Sequence, residues 1–282
     1  MRIIGNNPAA ENAEITAIAS GTLPSGQPVV VNADGTVSVV GSTVISDAAG
    51  TPVVYDAGAS QKTGVTFDSN SNKVVIAYTD INNSYFGTAI VGTVDPSDNS
   101  ISFGSEAVFE SASTNEEIGI TFDSNSNKVV IAYNDAGNSN RGTAIVGTLS
   151  GTDISFGSAA VFETGATIRI AATFDSNSNK VVISFADGGS SYSGKSVVGT
   201  ISGTNISFGD VSQFESGTTS DISSAFDSVN NKVIIAYKDN GDSNKGKAVV
   251  ATVNNTAITF GSPVVFETGR INYTATVYDT NA

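Results

Sequence analysis

The chain has 282 residues, of which 13 are basic and 27 acidic, so its formal net charge at pH 7 is −14. A charge of this sign and size repels phosphate backbones and anionic lipid surfaces, which argues against nucleic acid as a partner. Cysteine and histidine are absent, which excludes disulfides, thiol chemistry, histidine catalysis and the usual zinc ligands. We expect no cofactor and no metal site.

The chain also lacks any run of apolar residues long enough to cross a membrane, and its first residues lack the apolar segment of a secretory signal. We therefore expect neither membrane insertion nor Sec-type export. The 29 glycines, together with abundant Ser, Thr, Asn and Val, suit short strands joined by tight turns. The composition predicts an all-β protein.

Residues 1–26 are polar and small, and they differ from everything that follows. Only residues 15–19 offer a short strand. Such a segment is either a loosely held arm or an attachment segment that becomes ordered on a partner, because chain termini are commonly disordered until they are bound. Both alternatives stay open from the sequence.

A hairpin is predicted next, because the apolar runs 27–31 and 36–40 flank Asp34 and Gly35. Asp-Gly tolerates the positive φ angles of a two-residue hairpin turn. Residues 50–58 follow, and they match residues 261–269 in sequence. This match places the beginning and the end of the chain in equivalent positions of a repeat.

The repeat itself begins with an aromatic residue, continues through an Asp-Ser-Asn turn and leads into Lys-Val-Val-Ile-Ala-Tyr or a close variant. Its copies begin at Phe67, Phe122, Phe174, Phe226 and Tyr278, with steps of 55, 52, 52 and 52 residues. A period in this range indicates a solenoid, an array or a propeller. Each copy predicts four short antiparallel strands, which is the blade of a β-propeller.

The second strand of the repeat is apolar on both faces. Val129, Ile131 and Tyr133 alternate with Val130 and Ala132. A strand of this kind has to be covered on both sides, as it is when blades stack around an axis.

Five copies can be counted for two of the strands. The fourth-strand motif ends in Tyr55, Phe109, Phe162, Phe214 and Phe266, and the first-strand motif has the five aromatic starts given above. The sequence therefore predicts a five-bladed β-propeller of four-stranded blades over residues 27–282, preceded by a short arm at 1–26. N-terminal and C-terminal strands share one blade and close the ring, which removes exposed strand edges.

Two recurring acidic motifs have both a structural and a functional interpretation. The run from Asp68 to Asn72 begins like a calcium loop, but Lys73 and Thr79 stand where such a loop needs Gly and Glu, which favours a hairpin turn. The loops after the second strands begin with an Asp and look somewhat like the Asp-boxes of sialidase-type propellers without their spacing or aromatic residue. Loop capping by the Asp side chain is favoured there. These loop residues are Asp80, Asp135, Asp187 and Asp239.

Differences among the copies are concentrated in two loop classes, one after the fourth strand and one after the second. In a propeller both classes open on one face, opposite the uniform Asp-Ser-Asn turns, and loops on a rigid scaffold commonly bind ligands. Neutral drift of exposed loops is the alternative. The predicted binding residues are Tyr85, Phe86, Arg141, Arg169, Tyr192, Arg270 and Tyr273.

The segment 22–40, followed by the Phe-Asp-x-x-x-Asn-Lys-Val-Val-Ile-Ala-Tyr and Gly-Thr-Ala-Ile-Val-Gly-Thr repeats, resembles virion or tail structural proteins of marine tailed bacteriophages. The resemblance covers residues 20–282. It implies a virion component that meets the host surface, and it brings no catalytic residues with it. We therefore expect the protein to be assembled in the host cytoplasm and to be located in the virion.

Three functional hypotheses result. The first is a tail fibre or tail-associated virion protein that joins other virion proteins through its arm and attaches to a host-surface glycan. An oligomer within the virion is compatible with this role. The second is a capsid or tail cement protein without a receptor. The third is a polysaccharide-active enzyme with two carboxylates drawn from Glu116, Glu117, Asp221 and Asp80. The sequence favours the first, and we expect no enzymatic activity.

Overall fold

The computed structural model describes residues 18–19, 21–22, 29–39 and 50–279. The chain divides into two compact units, residues 1–49 and 50–282. Most of the arm predicted at residues 1–26 lies outside the described residues, and the predicted boundary after residue 26 stays a prediction. No helix in the described ranges is long and apolar enough to cross a membrane.

The N-terminal unit contains a small sheet of three strands, β1 (Ile18–Ala19), β2 (Val29–Val31) and β3 (Thr36–Val39), in the order β1-β3-β2. Strands β2 and β3 form the predicted antiparallel hairpin. At its turn Gly35 has a φ of 81°, and its N–H donates to the Asn32 carbonyl oxygen at 3.0 Å. Glycine is suited to this position because it adopts positive φ without steric cost.

Within its described residues the C-terminal unit contains four copies of an antiparallel repeat. Each repeat has four strands, and the fourth is interrupted, so its two parts carry separate labels. The first repeat comprises β4 (Ser60–Asp68), β5 (Lys73–Asp80), β6 (Phe86–Asp95), β7 (Ser100–Phe103) and β8 (Ala107–Ser113). The second comprises β9 (Gly119–Asp123), β10 (Lys128–Asp135), β11 (Arg141–Ser150), β12 (Asp153–Phe156) and the first half of β13 (Ala160–Asp175).

The remaining two repeats follow the same order. The third comprises the second half of β13, β14 (Lys180–Asp187), β15 (Ser193–Ser202), β16 (Asn205–Phe208) and the first half of β17 (Ser212–Asp227). The fourth comprises the second half of β17, β18 (Lys232–Asp239), β19 (Lys245–Asn254), β20 (Ala257–Phe260) and β21 (Val264–Glu267). Single-turn 3₁₀ helices follow three of the second strands, at Ala136–Asn138, Gly188–Ser190 and Asn240–Asp242.

The all-β prediction is confirmed, and the strands differ from the expected ones in one respect. Strands β13 and β17 each run for 16 residues, so the outer strand of one repeat continues into the inner strand of the next. A register shift between Ile168 and Ala171 in β13, and one between Ser220 and Ser223 in β17, mark the change of repeat. A bulge bends a strand without ending it, which explains the continuity.

In the first three repeats the fourth strand is broken at a glycine that touches the next repeat. A Cβ atom built on Gly157 would lie 1.9 Å from the carbonyl oxygen of Thr204, and one on Gly209 would lie 2.0 Å from that of Thr256. No side chain fits at such a distance. The same glycine in each copy therefore permits close approach of successive repeats.

Successive repeats pack through their second strands. Val129, Ile131 and Tyr133 belong to a buried cluster with Val75 of the first repeat, whereas Val130 packs in a different cluster with residues of the third repeat. The prediction that this strand is covered on both faces is confirmed, because all four residues of the second repeat are fully buried.

The aromatic residue of the fourth strand is exposed in the last repeat and buried in the three repeats before it. Phe266 is 56% exposed, whereas its equivalent Phe214 is 7% exposed. Residues 271–279, predicted as the closing inner strand, form no strand. They lie beside β17 instead, since Ser223 Oγ is 3.0 Å from Thr274 Oγ1 and 2.6 Å from Thr276 Oγ1. An inner strand forms its hydrogen-bonded ladder with the second strand of the same repeat. No strand in the described residues pairs with residues 271–279.

The aromatic residues at the ends of the inner strands line one open cavity of about 460 Å³. These residues are Phe67, Phe122, Phe174, Phe226 and Tyr278. All five copies of the first-strand motif therefore face one common space.

The buried second strand can be tested by substitution. Ile131→Ala should lower the free energy of unfolding by about 2–5 kcal/mol, the usual cost of a cavity at a fully buried site. Ile234→Ala in the last repeat should cost less, because Ile234 is only half-buried. Denaturant titration of both variants measures the difference, and equal costs would show that the last repeat is covered like the others.

Candidate functional site

The two variable loop classes lie side by side. In each repeat a backbone N–H of the connection to the next inner strand donates to a carbonyl oxygen of the loop after the second strand, at 2.9 to 3.1 Å. The four donor–acceptor pairs are Thr114 with Tyr85, Thr167 with Asn140, Thr219 with Tyr192, and Ile271 with Asn244. The two classes thus open on the same side of the repeats, as predicted.

One position in the connection to each inner strand projects toward its equivalents. Lys62, Arg169, Asp221 and Tyr273 all have positive φ, between 51° and 64°. For the first three the ladder shifts register at the same point. Non-glycine residues adopt this conformation uncommonly, and a bulge redirects a side chain out of the strand's alternation. The fifth equivalent residue is Glu117.

The four charged side chains at this position form ion pairs, and Lys238 joins them. We call this group the charged cluster; it consists of Lys62, Glu117, Arg169, Asp221 and Lys238. Glu117 Oε1 accepts from Lys62 Nζ at 3.3 Å and from Arg169 Nη1 at 2.5 Å. Asp221 Oδ2 lies 2.6 Å from Lys238 Nζ. The pairs of Glu117 thus join residues more than 50 positions apart in the chain. The first four inner strands and the connections into them contribute one member each, and β18 contributes Lys238.

A pocket of about 400 Å³ opens beside the charged cluster. It is lined by Arg169, Asp221, Lys238, Asn272 and Tyr273. The Tyr273 side chain is 84% exposed, and Arg169 Nε is buried without a hydrogen-bond partner among the described residues. The pocket thus offers an aromatic ring and groups of both charges.

Two adjacent carboxyl groups at this site have pKa values shifted in opposite directions. The pKa of Glu116 is raised, mainly by burial and secondly by the charge of Glu117. Burial also raises the pKa of Glu117, but a backbone hydrogen bond, Arg169 and Lys62 together outweigh it and the pKa is lowered. Glu117 is therefore the charged member of the pair, and Glu116 binds a proton more readily.

The structure brings together two of the predicted binding residues and separates the rest. Arg169 and Tyr273 line the pocket beside the charged cluster. The others lie outside that lining: Tyr85 and Tyr192 are partly exposed in their loops, Phe86 and Arg141 begin β6 and β11, and Arg270 is exposed after β21. Arg141 Nη1 donates to Asn138 Oδ1 at 3.3 Å within its own loop.

Sequence comparison of the repeats overlooked Lys238. Its equivalents are Thr79, Asn134 and Ala186, so this position varies like the loops although it lies within a strand. In the second repeat Asn134 Nδ2 donates to the Thr167 carbonyl oxygen at 2.8 Å. In the fourth repeat Lys238 pairs with Asp221 instead. Variation directly after the conserved aromatic residue was the signal that could have identified it.

The recurring acidic residues are used in turns, which confirms the structural interpretation. Asp123 Oδ1 accepts from the N–H groups of Asn125 and Ser126 at 2.8 and 3.0 Å, and its Oδ2 accepts from Ser126 Oγ at 2.7 Å. Asp80 accepts from the N–H groups of Asn82 and Asn83, both at 3.0 Å. Asp80 thus caps its loop, and it does not line the pocket beside the charged cluster.

No family model and no curated protein matches the chain. A crystal structure of an exo-β-1,3-galactanase from Phanerochaete chrysosporium with β-1,3-galactotriose is similar at 10% sequence identity and a TM-score of 0.47. The match covers 79% of this chain and 53% of the galactanase chain, so this chain spans about half the length of that protein.

The expectation of no enzymatic activity is corrected by this finding. The galactanase is an enzyme, and we do not retain the expectation. The likeness is too distant to transfer a substrate or catalytic residues to this chain.

The ion pairs of Glu117 predict a pH-dependent stability. Because the folded-state pKa of Glu117 lies below its ordinary value of 4.5, its stabilising contribution is present above that value and is lost as the pH falls through the lowered pKa. Glu117→Gln should therefore lower the melting temperature at pH 7, and the difference from the unsubstituted protein should vanish in acid.

The matched control is Glu116→Gln. Since the pKa of Glu116 is raised, its charged form destabilises the fold above that pKa, so this substitution should raise the melting temperature at pH 7 and have no effect in acid. Scanning calorimetry across the pH range measures both variants. A Glu117→Gln difference that persists unchanged in acid would contradict the assigned pKa direction.

Proposed function

We propose that this protein is a structural protein of a tailed-phage virion that attaches to a host-surface glycan through the pocket beside the charged cluster. The observation that carries the proposal is the convergence of residues from successive repeats on one pocket, at the positions where the repeats differ most. Strands and Asp-Ser-Asn turns are nearly uniform, whereas this position reads Lys62, Glu117, Arg169, Asp221 and Tyr273. The scaffold does not require such diversity, and loops carried on a rigid scaffold commonly hold binding residues.

The chemistry of the pocket suits a saccharide. An exposed tyrosine presents a flat apolar face on which a sugar ring stacks, and its hydroxyl remains free to hydrogen-bond. Arg169, Asn272 and Asp221 supply polar groups for sugar hydroxyls. Specific sites commonly combine apolar contact with a few placed polar groups in this way.

The proposed scaffold is a five-bladed β-propeller. Support comes from the four four-stranded repeats, from the cavity lined by all five first-strand aromatics, and from the contacts of residues 274 and 276 with β17. In this proposal residues 50–55 and 271–279 belong to the fifth blade. The sequence assigns the remaining strands of that blade to the N-terminal hairpin, and this assignment stays a prediction.

Truncation tests the closing blade. Deleting residues 270–282 removes the segment beside β17 and exposes apolar surface on the last repeat, so we expect aggregation or a loss of cooperative unfolding. Light scattering and thermal melts report both effects. A truncated protein that remains monomeric with an unchanged melting temperature would contradict the five-bladed scaffold.

Binding is tested with an array of bacterial surface glycans and the variant Tyr273→Ala. Because the Tyr273 side chain is almost fully exposed, its loss should leave the melting temperature unchanged while glycan binding falls about tenfold or more. Tyr85→Ala is the matched control, since Tyr85 also has positive φ and an exposed ring but lies outside the pocket.

The same variants should be compared as assembled virions in an adsorption assay. Normal adsorption of fully assembled Tyr273→Ala particles, together with unchanged glycan binding, would contradict receptor attachment by this pocket. The capsid or tail cement hypothesis would then replace it.

A second candidate function is cleavage of the bound glycan. The opposed pKa shifts of Glu116 and Glu117 favour it, because a glycosidase pairs a carboxyl group of raised pKa with one that stays charged. Incubating the protein with each glycan that it binds, and measuring new reducing ends, tests this candidate. Cleavage that is lost in Glu116→Gln while binding persists would support it, and the absence of new reducing ends would exclude it.

A further inference from the structure

The cavity lined by the five first-strand aromatics is separate from the charged cluster. In β4 the cluster residue Lys62 lies near the start of the strand, whereas Phe67 lies near its end. At about 3.3 Å per residue, five residues of strand separate the two sites by roughly 16 Å. We call this second site the aromatic cavity. It lies at the end of the repeats that carries the Asp-Ser-Asn turns, since Ser69, Ser124, Ser176 and Ser228 belong to its lining.

The lining of the aromatic cavity contains no charged side chain. Its 14 residues are five aromatics, eight serines and threonines, and Ala172. The nearby turn carboxylates lie outside the lining and are engaged in their own turns. Asp123, for example, accepts three hydrogen bonds from its own turn through both oxygens. The cavity therefore provides neither a carboxylate for a cation nor a Lys or Arg for an anion.

Part of this lining is accessible and unused. Phe67 is 54% exposed, in contrast to the buried Phe122 and Phe174. Ser124 lies exposed at the rim, and its hydroxyl makes no hydrogen bond within the described part of the chain. The cavity thus offers an open aromatic surface next to free hydroxyl groups, which both donate and accept hydrogen bonds.

We propose that the aromatic cavity binds a neutral hexopyranoside. A pyranose has apolar C–H faces that stack on aromatic rings and hydroxyl edges that pair with serine and threonine, so it matches both components of the lining. The volume of about 460 Å³ falls within the usual size of small-molecule sites and accommodates one or two sugar rings. The two ends of the repeats then differ in specificity, with a charged pocket at one end and a neutral one at the other.

The probes are the methyl α- and β-glycosides of glucose, galactose and mannose, with glucuronate and tetramethylammonium as charged counterparts. Saturation-transfer NMR on the full chain should show transfer to at least one neutral glycoside and none to either charged probe at this site. Phe67→Ala should weaken that binding about tenfold. Val65→Ala is the matched control, because Val65 is similarly exposed on the same strand but does not line the cavity.

A second pair of variants leaves the aromatic residues of the cavity unchanged. Ser124→Arg places a long side chain at the entrance and should abolish glycoside binding, whereas Asn125→Arg adds the same charge one residue outside the lining and should preserve it. Tyr273→Ala should also preserve it, so failure of this site is distinguishable from failure of the charged pocket. No transfer to any neutral glycoside, or transfer that Ser124→Arg leaves unchanged, would overturn the proposal, as would preferential binding of tetramethylammonium that Ser124→Arg removes.

Discussion

The structure depends on a strand that cannot be left exposed on either face. The second strand of each repeat places Val, Ile and an aromatic residue on one side and two smaller or aliphatic residues on the other. In the second repeat all five of these side chains are buried. One repeat can cover only one of the two faces, so each needs a neighbour on both sides. Burial of both faces contributes roughly 1.5–3 kcal/mol for each large side chain, which makes stacking of the repeats the main source of stability.

Stacking also places the loops that differ between the repeats. Because the inner strands lie side by side in chain order, a residue at the same place in each of them meets its equivalents. The bulge at that place turns Lys62, Arg169 and Asp221 out of the strand's alternation. The uniform strands thus serve as a scaffold, and the chemistry of the site can change by substitution at one position per repeat. The glycines that touch the next repeat keep this geometry regular.

Much of this could be predicted from the sequence, and the reasons are local. The strand boundaries follow from the Asp-Ser-Asn turns and the apolar alternation, and the hairpin at Asp34 and Gly35 follows from its turn residues. The ion pairs of Glu117 could not be predicted, because they depend on a bulge whose positive φ angles leave no pattern in the residues. The same limit applies to Lys238, which faces Asp221 only because a strand brings it there. Tyr85 and Tyr192 are predicted as site residues because their loops differ between the repeats, and such variation does not determine where a side chain points.

The proposed arrangement of the repeats in a closed ring can be tested directly, because the chain has no cysteine and accepts spin labels at introduced ones. Asn70, Asn125, Asn177 and Val229 occupy equivalent exposed turn positions in the four repeats. In a closed ring of five, the distance between labels at 70 and 229 equals the distance between 70 and 177, and both exceed the distance between 70 and 125. Pulsed electron paramagnetic resonance should give this pattern. A distance between 70 and 229 that clearly exceeds the distance between 70 and 177 would indicate an open array or a larger ring, and would contradict the five-fold account.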